Sequence, residues 1–158
     1  MYLMEDDVAA KKIVLLVEDN PDDEELTRMA FEGSRLLNEL IVVRDGAEAL
    51  DFLFRTGVHA GRDPRVVPQL VLLDLKLPKV GGLEVLRRMR EDERTRSIPV
   101  VMLTSSQEQE DVLRSYELGA NAYVRKPVDF REFSDAASRL GVFWLMVNVP
   151  PPRQQSES

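Results

Sequence analysis

Five polar side chains stand directly after short apolar runs of the sequence. They are Glu18 and Asp19 after Ile13–Val17, Asp74 after Leu70–Leu73, Thr104 after Val100–Leu103, and Lys126 soon after Ala122–Val124. Carboxylates brought close together disfavour one another's ionisation unless a cation lies among them. Mg²⁺ prefers a few carboxylate oxygens, a carbonyl and water, and usually works on a phosphate. With an ammonium and a hydroxyl beside them, such carboxylates are suited to phosphoryl transfer onto one of their own oxygens.

The apolar runs predict the elements that would position these side chains. Together with Leu40–Val43 they make five short runs, each followed by an amphipathic segment, and this alternation is typical of βα units around a parallel sheet. The predicted class is α/β, doubly wound. Chemistry in such sheets lies at the carboxyl ends of the strands, where all five polar residues fall. Helices are expected from Pro21, over about Ala47–Arg55, Gly82–Glu91 and Glu108–Leu118, and from about Asp129. In the first of them, the acids Asp22–Glu25 suit the helix start, and the inner face is predicted at Leu26, Met29 and Ala30.

Composition limits the functions that are open to the chain. With 158 residues and 44% hydrophobic content it can enclose one core, predicted over residues 12–149, with a tail at 1–11 and a disordered tail at 150–158. The net charge of -7 argues against binding nucleic acid or an anionic membrane. Cysteine is absent, and neither a secretory signal nor an apolar span is seen, so we expect a soluble cytoplasmic protein.

The motifs, in this order, resemble the receiver domain of response regulators over about Lys12 to Leu140. The resemblance implies a flavodoxin-like (βα)5 sheet with strand order 2-1-3-4-5. It also implies that Asp74 accepts a phosphoryl group from a phosphohistidine of a sensor histidine kinase, with Mg²⁺, or Mn²⁺ in its place, as cofactor. A protein of this kind is a signalling protein that assists its own phosphorylation and dephosphorylation, and is not a conventional enzyme.

The same resemblance assigns further roles by position. Asp19 would bind the metal directly, and Asp74 would belong to the same metal site. Glu18 would act as an acidic neighbour, often through water, and Lys76 would bind through its backbone carbonyl. Thr104 and Lys126 would hold the phosphoryl oxygens. Tyr123 would be the switch aromatic that responds to Thr104, and the peptide bond between Lys126 and Pro127 would be cis.

The carboxyl-terminal run Val142–Val147 is apolar at six successive positions, more than one face of a surface helix can bury. We therefore predict a homodimer built on the last helix and its extension, through Phe143, Trp144 and Met146. The alternative is a tail that folds back on its own domain. The Phe-Trp-Leu ending, the long loop near Arg62 and the Leu-Asp-Leu-Lys-Leu-Pro motif are similar to small response regulators of phytochrome-type kinases, which implies such a kinase as partner.

Other interpretations stay open at this point. A phosphorylation-independent docking module is one alternative. An aspartyl-phosphate phosphatase is another, although it needs a second aspartate where Lys76 stands. Among single residues, Tyr123 could be an ordinary core aromatic, Thr104 could cap the fourth helix, and His59 is expected to be merely exposed.

Overall fold

The structure, a computed structural model, describes residues 12–32, 39–126 and 129–152. In chain order the elements are β1 Ile13–Val17, α1 Pro21–Glu32, β2 Glu39–Val43, α2 Gly46–Phe54, β3 Leu70–Leu73, α3 Gly82–Glu91, β4 Val100–Thr104, α4 Gln109–Glu117, β5 Ala122–Arg125 and α5 Phe130–Val142. A π-helical segment, Phe143–Val147, continues α5. The predicted tail at 1–11, the Lys126–Pro127 peptide bond and residues 153–158 lie outside the described residues.

The five strands form one parallel sheet in the order β2-β1-β3-β4-β5, which confirms the predicted fold. β3 is the central strand, and β1 lies beside it and pairs with β2 on its other side, with Val17 opposite both Val43 and Leu73. The chain adds strands in one direction from β1 to β2 and in the other from β1 to β5. The carboxyl ends of β1 and β3 flank the point where this direction reverses.

Two apolar cores lie on opposite faces of the sheet, because side chains alternate along each strand. Leu15 and Val17 of β1 point to the core shared with α2 and α3. Val14 and Leu16 point to the core shared with α1 and α5. Burial on both faces explains why the strands read as uninterrupted apolar runs.

One detail of α1 differs from the sequence prediction. Met29 was expected on the inner face with Leu26 and Ala30, but its side chain is 50% exposed. The buried positions are Thr27, Ala30 and Phe31, so the inner face is shifted by one residue along the sequence from the expected one. A threonine fits there because its hydroxyl donates to the carbonyl of Asp23, 2.8 Å away, and needs no partner in the core.

The loop between α2 and β3 is packed against the domain. Arg62 donates from Nε to the carbonyl of Phe52 at 2.8 Å and lies 4.6 Å from the centre of that ring. The expectation that His59 is merely exposed is wrong: it is half-buried, its Nε2 lies 3.1 Å from Oε2 of Glu48, and its ring meets Phe52 edge-on. The short helical turn Gly57–His59 brings the imidazole back onto α2.

The carboxyl-terminal run divides between burial and exposure. Leu145 is 3% exposed and belongs to the α1/α5 core, and Trp144 packs partly against the same core. The Leu145 carbonyl also accepts a hydrogen bond from Nζ of Lys12 at 2.7 Å. Phe143 and Met146 face outward. Among the described residues, no helix has the length and apolar character needed to cross a bilayer.

Candidate functional site

Backbone hydrogen bonds just beyond the strand ends bring the polar residues to one edge of the sheet. The N–H of Glu18 donates to Val43 at 3.0 Å, and the N–H of Asp74 donates to Val17 at 3.2 Å. At the other side, the N–H of Lys126 donates to the carbonyl of Thr104 at 2.8 Å. Each polar residue therefore continues the ladder of its strand by one position, which fixes its backbone before its side chain makes any contact.

The turn from β1 into α1 adds further acidic side chains at this edge. Oδ1 of Asn20 accepts from the N–H groups of Asp22 at 2.8 Å and Asp23 at 3.2 Å, and so caps the helix. The N–H of Asn20 itself donates to Oε2 of Glu18 at 3.2 Å. The first turn of α1 is thereby tied to the same carboxylate that ends β1.

The ammonium of Lys126 lies among three carboxylates. Nζ donates to Oε1 of Glu18 at 2.5 Å, to Oδ2 of Asp23 at 2.9 Å and to Oδ2 of Asp74 at 3.0 Å. Only 8% of the Lys126 side chain is exposed. An ammonium has three N–H donors, so each of them has an acidic partner.

Burial and charge shift the pKa values of Glu18 and Lys126. Burial disfavours the Glu18 carboxylate and, despite the hydrogen bond from Lys126, raises the pKa of Glu18 to about 7. Burial alone would lower the pKa of Lys126, but the hydrogen bonds to Glu18 and Asp23 keep it above the ordinary lysine value. The ammonium of Lys126 contacts three carboxylates, so its charged form is stabilised more than the charged form of Glu18 is.

Glu18, Asp19 and Asp74 also form a donor set for a cation. One carboxylate oxygen of each lies within 4.8 Å of the others. All three donors are hard oxygen ligands, as a divalent ion such as Mg²⁺ or Mn²⁺ requires. A cation there would also offset the burial that disfavours ionised Glu18. The residues therefore fit a divalent metal, and Lys76 lines the same cleft of about 460 Å³.

The end of β4 carries the predicted hydroxyl and its neighbours. Thr104 is buried, and its Oγ1 accepts from the N–H of Ser106 at 3.3 Å. Thr104 does not cap α4, because that helix begins at Gln109. The hydroxyl of Tyr123 donates to the carbonyl of Ser106 at 3.2 Å, while its ring packs against the α2/α3 core. Tyr123 is thus a partly buried aromatic whose polar end contacts the loop after Thr104.

A glycine permits the tight turn after the phosphoacceptor candidate. A Cβ atom on Gly82 would lie 2.0 Å from the carbonyl oxygen of Asp74, closer than real contacts allow. The N–H of Gly82 donates to Leu75 at 2.8 Å, which closes the loop onto the strand end. The start of α3 therefore packs directly on the backbone of Asp74.

Most predicted site residues meet at this edge, and one partner was missed. Contacts join Glu18, Asp74 and Lys126, and Asp19 shares the metal donor set. Asp23 was predicted only as part of the acidic start of the first helix. Its signal in the sequence was the spacing: one helical turn after Asp19, a side chain at a helix start can point back toward the strand end.

Fold and site together define a protein class. Residues 14–138 match the response regulator receiver domain family, which is most of the chain. The chain belongs to this family, the phosphoacceptor component of two-component signalling systems, and the resemblance seen in the motifs is confirmed.

Relatives narrow the comparison to small response regulators. Response regulator Rcp1 of Synechocystis sp. is 39% identical over 142 residues, covering 90% of this chain and 95% of its own. A crystal structure of the Mn²⁺-bound form of Rcp1 superposes with a TM-score of 0.83 at 37% identity, covering 89% of this chain and 99% of that one. The bacteriophytochrome response regulator RtBRR is 59% identical with a TM-score of 0.71, covering 90% of this chain and 85% of its own.

A further structural relative is described as a phosphorylated cyanobacterial phytochrome response regulator, RcpA. It is 36% identical with a TM-score of 0.84, and the match covers 90% of this chain and 99% of that one. The chain is thus similar over most of its length to regulators whose names refer to phytochromes.

Proposed function

We propose that Asp74 accepts a phosphoryl group from a phosphohistidine of a sensor histidine kinase. The observation that carries this proposal is the contact between Lys126 Nζ and Asp74 Oδ2 at 3.0 Å, beside an acidic donor set for a cation. A carboxylate oxygen of Asp74 forms a bond to phosphorus while the bond from phosphorus to the imidazole nitrogen breaks. The imidazole keeps the electron pair and then takes up a proton, so no further reactant is required.

The residues divide the work of that transfer. Lys126 would place a positive charge beside the phosphoryl oxygens, where negative charge is concentrated during the transfer. Glu18, Asp19 and Asp74, with the backbone carbonyl of Lys76, would hold a divalent cation, for which we propose Mg²⁺, with Mn²⁺ able to replace it. That ion supplies charge neutralisation and orientation of the phosphoryl oxygens. Thr104 ends the neighbouring strand and would donate its hydroxyl to the transferred group.

Thr104 and Tyr123 are proposed to carry the signal to the surface. Both contact Ser106, Thr104 by accepting from its N–H and Tyr123 by donating to its carbonyl. A phosphoryl oxygen that accepts a hydrogen bond from the Thr104 hydroxyl would shift Thr104. Ser106, which contacts both residues, would transmit this shift to Tyr123.

We infer a phytochrome-type sensor histidine kinase as the phosphodonor, in the cytoplasm. The support is the similarity over about nine tenths of the chain to RtBRR and RcpA, which are described as phytochrome response regulators. A docking module that needs no phosphate is the second candidate, favoured by the exposed apolar side chains after α5.

One mass measurement distinguishes phosphorylation of Asp74 from a docking function that needs no phosphate. The purified protein is incubated with acetyl phosphate and Mg²⁺, and intact mass is compared with Asp74→Asn and with an EDTA control. We expect one hydroxylamine-labile phosphoryl group on the native protein and none in either control. The absence of an adduct on native protein that binds Mg²⁺ would overturn the proposed function and leave docking.

We also propose that the chain forms a homodimer through the surface that follows α5. Phe143 and Met146 are exposed there, whereas Trp144 is partly buried and contributes only its outer edge. The rings of Phe143 and Trp144 meet edge-on with centroids 5.0 Å apart, so they present one apolar surface. An apolar surface of this kind is most often covered by a second copy around a two-fold axis.

Sedimentation tests the dimer directly. The native protein at micromolar concentration is expected to sediment as a dimer, and the double variant Phe143→Ser/Met146→Ser as a monomer with unchanged unfolding. The matched control is Val58→Ser, an exposed apolar residue on the far loop. A native protein that is wholly monomeric would exclude this assembly.

A further inference from the structure

We propose that Asp23 is a positioning residue for Lys126, holding the ammonium at the phosphoryl site while Glu18 and Asp74 bind the metal and the phosphoryl group. This inference rests on the proposed phosphorylation of Asp74. Its basis is that three carboxylates contact Lys126, and Asp23 is the one among them outside the metal donor set.

The three contacts cannot all persist through the reaction. Glu18 and Asp74 each offer an oxygen to the proposed cation, and Asp74 also gives an oxygen to phosphorus. Lys126 must then release Asp74 in order to donate to the phosphoryl oxygens. The hydrogen bond from Nζ to Oδ2 of Asp23, 2.9 Å long, involves no carboxylate oxygen that would bind the metal or the phosphorus.

Asp23 is built to stay in place. Its N–H is held by Oδ1 of Asn20, and its carbonyl accepts from the Thr27 hydroxyl at 2.8 Å. Its side chain is one quarter exposed and that of Lys126 is 8% exposed, so the pair is only partly screened by water. A long lysine side chain loses conformational freedom when it is held, and Asp23 pre-arranges it before the phosphodonor arrives.

A neighbouring residue supplies a matched control. Asp22 has the same charge, precedes Asp23 in the same turn and lines the same cleft. Within the described part of the chain, no cation contacts the carboxylate of Asp22. Replacement of either residue by alanine removes one negative charge from the first turn of α1, so the difference between the two variants reports the contact with Lys126 beyond the general electrostatic field.

The experiment measures the rate at which acetyl phosphate modifies Asp74 at saturating Mg²⁺ in the full-length chain. We expect Asp23→Ala to react about tenfold more slowly than Asp22→Ala, the usual scale for the loss of one charge-assisted hydrogen bond. Asp23→Asn keeps an oxygen acceptor without the charge and is expected to fall between them. The Mg²⁺ affinity should change equally in both alanine variants, because neither residue belongs to the donor set.

A double-mutant cycle separates positioning from a general effect on folding. If Asp23 acts through Lys126, then Asp23→Ala added to Lys126→Ala slows the reaction no more than Asp22→Ala does in that background. Should Asp23→Ala fail to fold, the same-sized Asp23→Asn carries the comparison, with urea unfolding as the check.

Each outcome of these measurements either supports or overturns the proposed role of Asp23. A tenfold gap that disappears without Lys126 supports the inference. Equal rates for Asp22→Ala and Asp23→Ala, or a gap that persists without Lys126, would overturn it while leaving phosphorylation of Asp74 intact. Absence of any adduct on the native protein would overturn the proposed function and this inference with it.

Discussion

The regions around Lys126 and around Met146 differ in how far their side chains are buried and paired within the domain. At the carboxyl edge of the sheet, defined by Glu18, Asp19, Asp23, Asp74 and Lys126, the ammonium is 8% exposed and has three carboxylate partners. In the carboxyl-terminal segment, residues 142–147, the Met146 side chain is 58% exposed. Among the described residues, every buried side-chain nitrogen and oxygen has a hydrogen-bond partner.

The difference reflects the cost of leaving each kind of group alone. An unpaired charge out of water costs several kcal/mol, so the ammonium of Lys126 at the carboxyl edge has carboxylate partners within the domain. An exposed apolar side chain costs far less, so the segment can keep half its surface open for a partner. The ligands that we propose differ accordingly: a metal ion and a phosphoryl group at the carboxyl edge, and a second protein chain at the carboxyl-terminal segment.

The largest expected effect comes from closing the space at the carboxyl edge. In Gly82→Ala the new Cβ would meet the carbonyl oxygen of Asp74 at 2.0 Å and Cα of Leu75 at 2.9 Å, both backbone atoms. Because backbone must shift, we expect a loss of roughly 3 kcal/mol in the free energy of unfolding, with slower phosphorylation. Urea unfolding measures the first and intact mass the second.

The control for this variant is Gly61→Ala. A Cβ on Gly61 would have no neighbour within 4 Å, so its unfolding free energy should change by less than about 0.5 kcal/mol. Equal losses in the two variants would mean that the start of α3 yields easily and does not fix the Asp74 backbone.

The next effect divides the carboxyl-terminal segment itself. Leu145 is buried with Phe31 and Phe133 in the α1/α5 core, so Leu145→Ala should cost about 2–4 kcal/mol of unfolding free energy. Met146→Ala, one residue further along, should cost less than about 0.5 kcal/mol in dilute monomer. Chemical denaturation at submicromolar protein makes the comparison, and similar costs for both would show that the segment is packed as a whole.

Residues at the carboxyl edge could be predicted from the sequence because chemistry restricts their type. Glu18, Asp74 and Lys126 each follow an apolar run, and parallel strands bring such ends together without knowledge of any side-chain contact. The strand order itself came from the resemblance to receiver domains, since buried runs on both faces do not reveal which strands are neighbours.

Other details depended on contacts that periodicity does not contain. Met29 was assigned to the core although Thr27 fills that place, because a threonine bonded to its own helix counts as polar in a pattern. His59 was taken as exposed because its loop gave no sign of packing against α2. Asp23 looked like one more acid at a helix start, and only the position of Lys126 sets it apart.

The smallest predicted effect is a pH dependence at the carboxyl edge. Burial raises the pKa of Glu18 from 4.5 to about 7 in the folded chain. Between those values the folded protein holds a proton that the unfolded chain has released, so the contribution of Glu18 to stability falls as pH rises through this window and is constant above it. Glu18→Gln cannot titrate and serves as the reference.

In EDTA, the unfolding free energy of native protein relative to Glu18→Gln should therefore drop by roughly 1–2 kcal/mol between about pH 5 and about pH 8. Saturating Mg²⁺ should weaken or reverse this trend, because a cation binds the ionised carboxylate and competes with the proton. Parallel pH curves for the two proteins in EDTA would mean that Lys126 already compensates the burial of Glu18. The charges of the carboxyl edge would then be compensated before any metal binds. The carboxyl-terminal segment would in contrast still expose apolar side chains that only a partner could cover.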